Sequence, residues 1–243
     1  MTTYFVFIFL LVLSFIGGTG VVIVGQKQEK EKYRKSRIKY EVYLIIVYLM
    51  FSSALYSHKL FGALCVLIVL GGYYDIIKLQ QGITRLAIPA FCLILALYTA
   101  TCLFFCLFGF SERGIILFTL FIVCTFDAFS QIAGQLFGKR KICPRISPQK
   151  TYAGLAGGLS AVLVVSIVLG KSIGWDIQYS LWLGLGIATA AFVGDLSASY
   201  VKRCYQTKDF SNLLPGHGGW LDRFDSLIFA GAYVWFVQTI CWT

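Results

Sequence analysis

The chain has 243 residues, of which 58% are hydrophobic and only 13% charged, with a formal net charge of +10. A water-soluble domain of this length cannot bury so much apolar surface, and several apolar runs reach the ~20 residues that cross a bilayer. The runs are continuous rather than alternating, which argues against a transmembrane β-barrel. We therefore predict an all-α, polytopic integral membrane protein.

Hydropathy predicts about eight transmembrane helices in a single transmembrane domain, residues 1–243. We place them at 4–24, 42–57, 60–77, 86–109, 114–134, 153–170, 181–201 and 224–242. Residues 1–113 supply the N-terminal helices, and residues 114–243 form the half that carries the charged motifs described below. The first apolar run lacks the basic region of a signal peptide, so we expect a retained helix. Most of the eight cysteines lie in apolar runs without any Cys-x-x-Cys pair, and we expect them to be packing residues.

The basic residues are concentrated in four loops, 25–41, 78–85, 135–152 and 202–223, which carry most of the 21 Lys and Arg side chains. With eight spans these loops all lie on one side. The positive-inside rule makes that side cytoplasmic and places both termini on the other. The net charge is then a membrane-surface charge that attracts anionic headgroups and nucleotides, and we predict no nucleic-acid partner.

The densest group of ionisable side chains lies between Gly194 and Asp225. It contains four acids, four bases and one histidine: Asp195, Asp209, Asp222, Asp225, Lys202, Arg203, Lys208, Arg223 and His217. Because ionisable side chains in or beside a membrane span are costly, such a group indicates a functional site.

Helical spacing and depth bring four carboxylates together near the cytoplasmic surface: Asp127, Asp195, Asp222 and Asp225. Carboxylates clustered at low dielectric repel one another unless a cation lies between them, and Mg²⁺ is a natural guest for oxygen ligands. The surrounding bases and glycines suit a polyphosphate, so the pattern favours phosphoryl or nucleotidyl transfer. From the residues alone, Asp225 could instead be a helix cap or an ion-pair partner, and His217 a turn cap.

The same stretch carries a family resemblance. Its residues follow the pattern Ser-x-x-Lys-Arg, Lys-Asp and Pro-x-His-Gly-Gly-x-x-Asp-Arg-x-Asp, at Ser199, Lys202, Arg203, Lys208, Asp209, Pro215, His217, Gly218, Gly219, Asp222, Arg223 and Asp225. A second block comprises Asp127, Gly134, Phe137, Gly138, Lys139, Ser147, Pro148, Lys150, Thr151 and Gly154. Over 127–231 the chain resembles the phosphatidate cytidylyltransferases, or CDP-diacylglycerol synthases, whereas its N-terminal half matches only as apolar helices.

The resemblance implies a nucleotidyltransferase of phospholipid biosynthesis, which converts CTP and the membrane lipid phosphatidate into CDP-diacylglycerol and pyrophosphate. We expect Mg²⁺ on Asp195 and Asp222, with Asp127 and Asp225 as further ligands; the family also implies K⁺ as a second cation and a homodimer. The residues expected to hold the phosphates during catalysis are Ser199, Lys202, Arg203, Lys208 and Arg223. The expected substrate-binding positions are Ser147, Lys150, Thr151, Asp209, His217, Gly218 and Gly219. The expected location is a bacterial inner membrane, with the active site facing the cytoplasm.

Five positions depart from the family pattern and leave the lipid substrate open: Ser130, Gln131, Gln135, Ala153 and Trp220. The alternatives are a CTP-dependent lipid kinase, a cytidylyltransferase for another lipid phosphate, a non-catalytic relative and a cation-coupled transporter. A transporter would place acids near the bilayer midplane and broken helices in matched halves, and the sequence shows neither pattern.

Overall fold

The computed structural model describes residues 6, 8, 30–79, 88–211, 213 and 218–241 of the chain. Seven long helices and one hairpin form this part. The helices are α1 (Lys30–Tyr56), α2 (His58–Leu79), α3 (Ile88–Phe108), α4 (Arg113–Phe137), α5 (Tyr152–Ile173), α6 (Ile177–Cys204) and α7 (Leu221–Cys241). The hairpin strands are β1 (Lys141–Cys143) and β2 (Ser147–Thr151).

Five of these helices, α2 to α6, are long and apolar enough to cross a membrane, and the apolar part of α1, Tyr40–Tyr56, is shorter. The predicted all-α integral membrane protein is therefore confirmed. Seven of the predicted spans each coincide with a described helix, while the span predicted at 4–24 lies outside the described residues, apart from residues 6 and 8. The count of eight spans stays a prediction.

Two stretches differ from the loops predicted between the spans. Helix α1 already begins at Lys30, inside the predicted loop 25–41, because the charged residues there are good helix formers. Its exposed face carries an i, i+4 ion pair, with 2.7 Å between Arg37 Nε and Glu41 Oε1. In the loop 135–152, β1 and β2 pair in an antiparallel hairpin, which leads directly into α5.

Helix α4 forms the centre of the bundle. Nearly every residue between Ile115 and Phe126 is buried, and α4 packs against α1, α5, α6 and α7. Its closest neighbour is α5, where small residues let the two backbones approach: a Cβ atom at Gly158 would lie 2.9 Å from the Phe126 ring. The same device brings α6 against α7, because a Cβ atom at Gly194 would lie 2.7 Å from the backbone oxygen of Asp225.

The turn between α5 and α6 lies at the end of the bundle away from the charged residues. Gly174, with a φ of 87°, ends α5 in the left-handed conformation. Asp176 then caps α6, since its side chain accepts hydrogen bonds from the amides of Gln178 and Tyr179. Helix α6 returns from there to the end where α4 finishes and both β2 and α7 begin.

Candidate active site

Two lysine–carboxylate ion pairs organise the charged end of the bundle. Lys150, on β2, places Nζ 2.7 Å from Asp195 Oδ2 on α6. Lys202 lies on the same face of α6, nearer the end of the helix, and places Nζ 2.5 Å from Asp222 Oδ1 on α7. The hairpin, α6 and α7 are thus joined through side chains that the sequence pattern singled out.

Asp222 is the most heavily engaged of the predicted metal ligands. Its side chain is only 3% exposed, and Oδ1 is occupied by Lys202. Oδ2 accepts hydrogen bonds from the backbone amides of Phe210, at 3.0 Å, and Gly219, at 2.8 Å. Asp222 therefore ties the segment after α6 to the first turn of α7, and a metal ion on Oδ1 would have to replace the Lys202 ammonium.

The other three predicted ligands share one electrostatic neighbourhood. Asp127 on α4 interacts with Asp195 on α6 and with Lys150. Asp225, buried in α7, interacts with both of these carboxylates. Asp195 is 39% exposed at its side chain and accepts a long hydrogen bond, 3.4 Å, from the Ser199 hydroxyl. Carboxylates from three helices are therefore near enough to interact electrostatically.

No group of three or more acidic, His or Cys side chains in the described ranges is close enough together to hold a metal ion as the side chains stand. The donor chemistry nevertheless fits Mg²⁺, since all four predicted ligands are carboxylates, the hard oxygen donors that this ion takes. Mg²⁺ dependence stays a prediction, and so does K⁺.

The predicted phosphate-holding bases differ in their surroundings. Arg203 is exposed and donates hydrogen bonds to two backbone carbonyl oxygens. Its Nε donates to the oxygen of Ile146 at 3.2 Å, and a second nitrogen donates to the oxygen of Thr207 at 3.0 Å. It therefore links the end of α6 to the hairpin turn. Lys208 and Arg223 lie on the exposed surface of the same end.

The remaining predicted binding residues are placed mainly by the backbone. Thr151 is the N-cap of α5, with its hydroxyl oxygen accepting from the Gly154 amide at 3.1 Å, and Ser147 opens β2, half-buried. Gly218 has a φ of 80°, and a Cβ atom there would lie 2.9 Å from Oδ1 of the exposed Asp209. Gly219 lies against Asp222. His217 lies outside the described residues.

One residue of this end was missing from the predicted site. Asp75, near the end of α2, is wholly buried, and its Oδ2 accepts a hydrogen bond from the Leu221 amide at 2.8 Å. The signal was available, because a lone acid in the apolar run 60–77 meets the same criterion that singled out the residues after Gly194. Trp220, seen only as a departure from the family pattern, donates from Nε1 to the Ile68 oxygen at 3.2 Å.

Comparison with known proteins gives a consistent family. A model of the cytidylyltransferase family matches residues 1–241. An uncharacterised protein of Escherichia coli strain K12, YnbB, is 38% identical over 130 residues, which are 53% of this chain and 44% of that protein. The phosphatidate cytidylyltransferase of Bacillus subtilis strain 168 is 37% identical over 127 residues, 51% of this chain and 47% of that protein. The chain thus spans about half the length of these two relatives.

A longer alignment joins the chain to the phosphatidate cytidylyltransferase of Rickettsia bellii strain RML369-C. The two are 30% identical over 231 residues, which cover 86% of this chain and 96% of that protein. This alignment includes the N-terminal helices that the motif pattern alone did not reach.

Proposed function

We propose that this chain, which belongs to the cytidylyltransferase family, transfers the cytidylyl group of CTP to the phosphate of phosphatidate, forming CDP-diacylglycerol and pyrophosphate. Relatives from B. subtilis and R. bellii carry the name of this activity. The observation that carries the proposal is the joining of carboxylates from α4, α6 and α7 with two lysines at one end of apolar helices.

That position suits a reaction between a soluble nucleotide and a lipid. The described spans α2 to α6 are apolar, whereas the end that carries Lys150 and Lys202 also carries the basic hairpin 141–151. A lipid phosphate lies at the depth of such helix ends, and CTP reaches them from water. Because the loops at this end are basic, we place it at the cytoplasmic face of a bacterial inner membrane.

In the proposed reaction an oxygen of the lipid phosphate forms a bond to the α-phosphorus of CTP. The bond from that phosphorus to the bridging oxygen of the β-phosphate breaks, and pyrophosphate leaves with the electron pair. A phosphate monoester has already lost most of its second proton near pH 7, so the site needs no strong general base. Catalysis then consists of positioning the two phosphates and offsetting their charge.

The lysines and arginines of the chain supply positive charge to the phosphates. Lys150 and Lys202 each face a carboxylate, and phosphate oxygens can compete for the same ammonium groups. Ser199, on the face of α6 that carries Asp195 and Lys202, can donate to one phosphate oxygen. Mg²⁺ held by Asp195 and Asp222, with Asp127 and Asp225 beside it, would neutralise the charge that develops on the phosphates.

The test uses the purified full chain in detergent micelles that contain phosphatidate, with Mg²⁺ and CTP labelled at the α-phosphate. We expect label to enter the lipid fraction, and γ-labelled CTP to leave the lipid unlabelled. Label from the γ-position would show a lipid kinase instead. Absence of transfer from well-folded protein would refute the proposal for this lipid.

Two acid-to-amide variants locate the reaction within the fold. Asp195→Asn should abolish transfer, because it removes a carboxylate of the charged cluster. Asp176→Asn is its matched control at the other end of α6, where asparagine caps a helix about as well as aspartate. Equal activity of the two variants would show that the cluster is not the active site.

A further inference from the structure

Asp75 has an environment that packing alone does not explain. The residue is 0% exposed near the end of α2, and its Oδ1 has no hydrogen-bond partner in the part of the chain that the structure describes. A buried carboxylate oxygen without a donor is unfavourable, so an apolar residue would pack there at lower cost. Among the described residues, what Asp75 provides is the bond from Leu221 to its other oxygen.

That bond caps α7, the helix that begins at Leu221 and carries Asp222. The first amides of a helix have no partner within it, and a side chain just before the helix usually accepts from one of them. Trp220, the residue before α7, has no side-chain acceptor. The carboxylate of Asp75 takes that place from another helix, 146 residues earlier in the chain.

A second carboxylate holds the same turn. Asp222 accepts from the Gly219 amide, and a Cβ atom at Gly219 would lie 2.5 Å from Asp75 Oδ2 and 2.9 Å from Asp222 Oδ2. A glycine is needed here because both carboxylates lie so close to it. The position of Asp222 is thus linked directly to that of Asp75.

Helix α2 is also shaped to receive this turn. A Cβ atom at Gly71 would clash with the indole of Trp220. At Gly72 an added Cβ atom would clash with the Tyr98 hydroxyl, whereas a methyl carbon of Leu221 would be at ordinary contact distance, 3.4 Å. The Trp220 indole donates to the Ile68 oxygen. Residues 219–221 are therefore fixed to α2 by two hydrogen bonds and by close packing, immediately before Asp222.

We propose that Asp75 is a positioning residue for the transfer reaction: by capping Leu221 from α2, it fixes the first turn of α7 and hence the Asp222 carboxylate that contacts Lys202. This inference rests on the proposed function for its effect on rate. It makes α2 part of the catalytic machinery rather than only a membrane anchor.

The test compares three variants of the full chain in detergent. Asp75→Leu keeps the branched shape of the side chain but removes the acceptor, whereas Asp75→Asn keeps an oxygen for the Leu221 amide. Tyr73→Phe is the matched control on α2, because it removes a hydrogen bond to Thr99 on α3 (2.8 Å) that does not involve α7. For each variant we would measure kcat and both KM values per folded molecule, and hydrogen exchange of peptides that cover 219–224.

We expect Asp75→Leu to lower kcat by about 10- to 100-fold, since a displacement near 1 Å at a reacting group has effects of that size. The amides of 219–224 should exchange faster in this variant. Asp75→Asn should recover most of the rate and the protection, and Tyr73→Phe should match the wild type in both. Unchanged exchange in Asp75→Leu would overturn the inference, as would faster exchange with wild-type kcat and KM.

Leu221→Pro supplies the same test from the donor side if Asp75→Leu does not fold. Proline is well accepted at the first position of a helix but has no N–H to donate. We expect the same loss of kcat, and a wild-type kcat would overturn the inference. If the wild-type chain transfers no label, the proposed function fails by itself. The anchoring by Asp75 is then decided by exchange alone, with faster exchange in Asp75→Leu supporting it and no change refuting it.

Discussion

The ion pair between Lys202 and Asp222 allows a prediction with a magnitude. The side chains of Lys202 and Asp222 are 12% and 3% exposed, so water can compensate only partly for a lost partner. Asp222→Asn keeps an oxygen for the amides of Phe210 and Gly219, but it turns an NH₂ group toward the lysine, so that one donor faces another. Breaking a buried pair from one side costs about 3–5 kcal/mol. We expect about 3 kcal/mol, because Lys202 retains some exposure.

A double-mutant cycle separates this pair from its surroundings. Lys202→Met removes the ammonium and leaves Asp222 with its two amide donors, and the double variant Lys202→Met/Asp222→Asn removes both charges. The coupling should be about 1.5–3 kcal/mol, the usual contribution of a hydrogen bond to a charged group. The free energy of unfolding in mixed micelles, followed by tryptophan fluorescence as the SDS fraction rises, gives all four values. Effects that add to within about 0.5 kcal/mol would refute the pairing.

Three further predictions concern close helix contacts and the metal. Gly71→Ala should displace the Trp220 indole and lower stability by about 1–3 kcal/mol, with a loss of kcat. Thermal melts and label transfer measure the two effects. An unchanged melting temperature would contradict the close contact between Gly71 and Trp220. Gly194→Ala should push α6 away from α7 at Asp225, whereas Gly114→Ala, whose nearest neighbour would be 3.6 Å away, should be neutral; equal melting shifts would argue against the close approach. EDTA should abolish label transfer and excess Mg²⁺ should restore it; transfer that persists in EDTA would exclude a metal requirement.

The apolar helices could be predicted from the sequence because each is a continuous hydrophobic run. Helix α1 was predicted too short at its start, since hydropathy does not register a helix built from charged residues such as those between Lys30 and Arg37. The hairpin was missed for a different reason. Its strands have three and five residues, too few to show alternation, and β2 contains Pro148, which is unusual inside a strand.

The site shows the same division between local and distant information. Helical periodicity indicates that Asp195, Ser199 and Lys202 share a face, and the hydrogen bond from Ser199 to Asp195 agrees with this. Periodicity has no means to show which helix a side chain meets in space. The bond from Leu221 to Asp75 joins the two halves of the chain, so only the packed structure reveals that the lone acid of α2 contacts the start of α7.

The long separation between Asp75 and Leu221 has a consequence for biosynthesis. Chains are made at about 5–20 residues per second, so roughly 7–30 s pass between synthesis of Asp75 and of its donor 146 residues later. During that interval α2 resides in the bilayer and its carboxylate lacks this partner. An unpaired carboxylate in the membrane is costly, so the final position of α2 is less favourable until the partner is made. Insertion of α7 therefore supplies the hydrogen bond that Asp75 on α2 lacks. A nascent chain arrested before Leu221 should hold α2 less firmly in the membrane than the finished protein does.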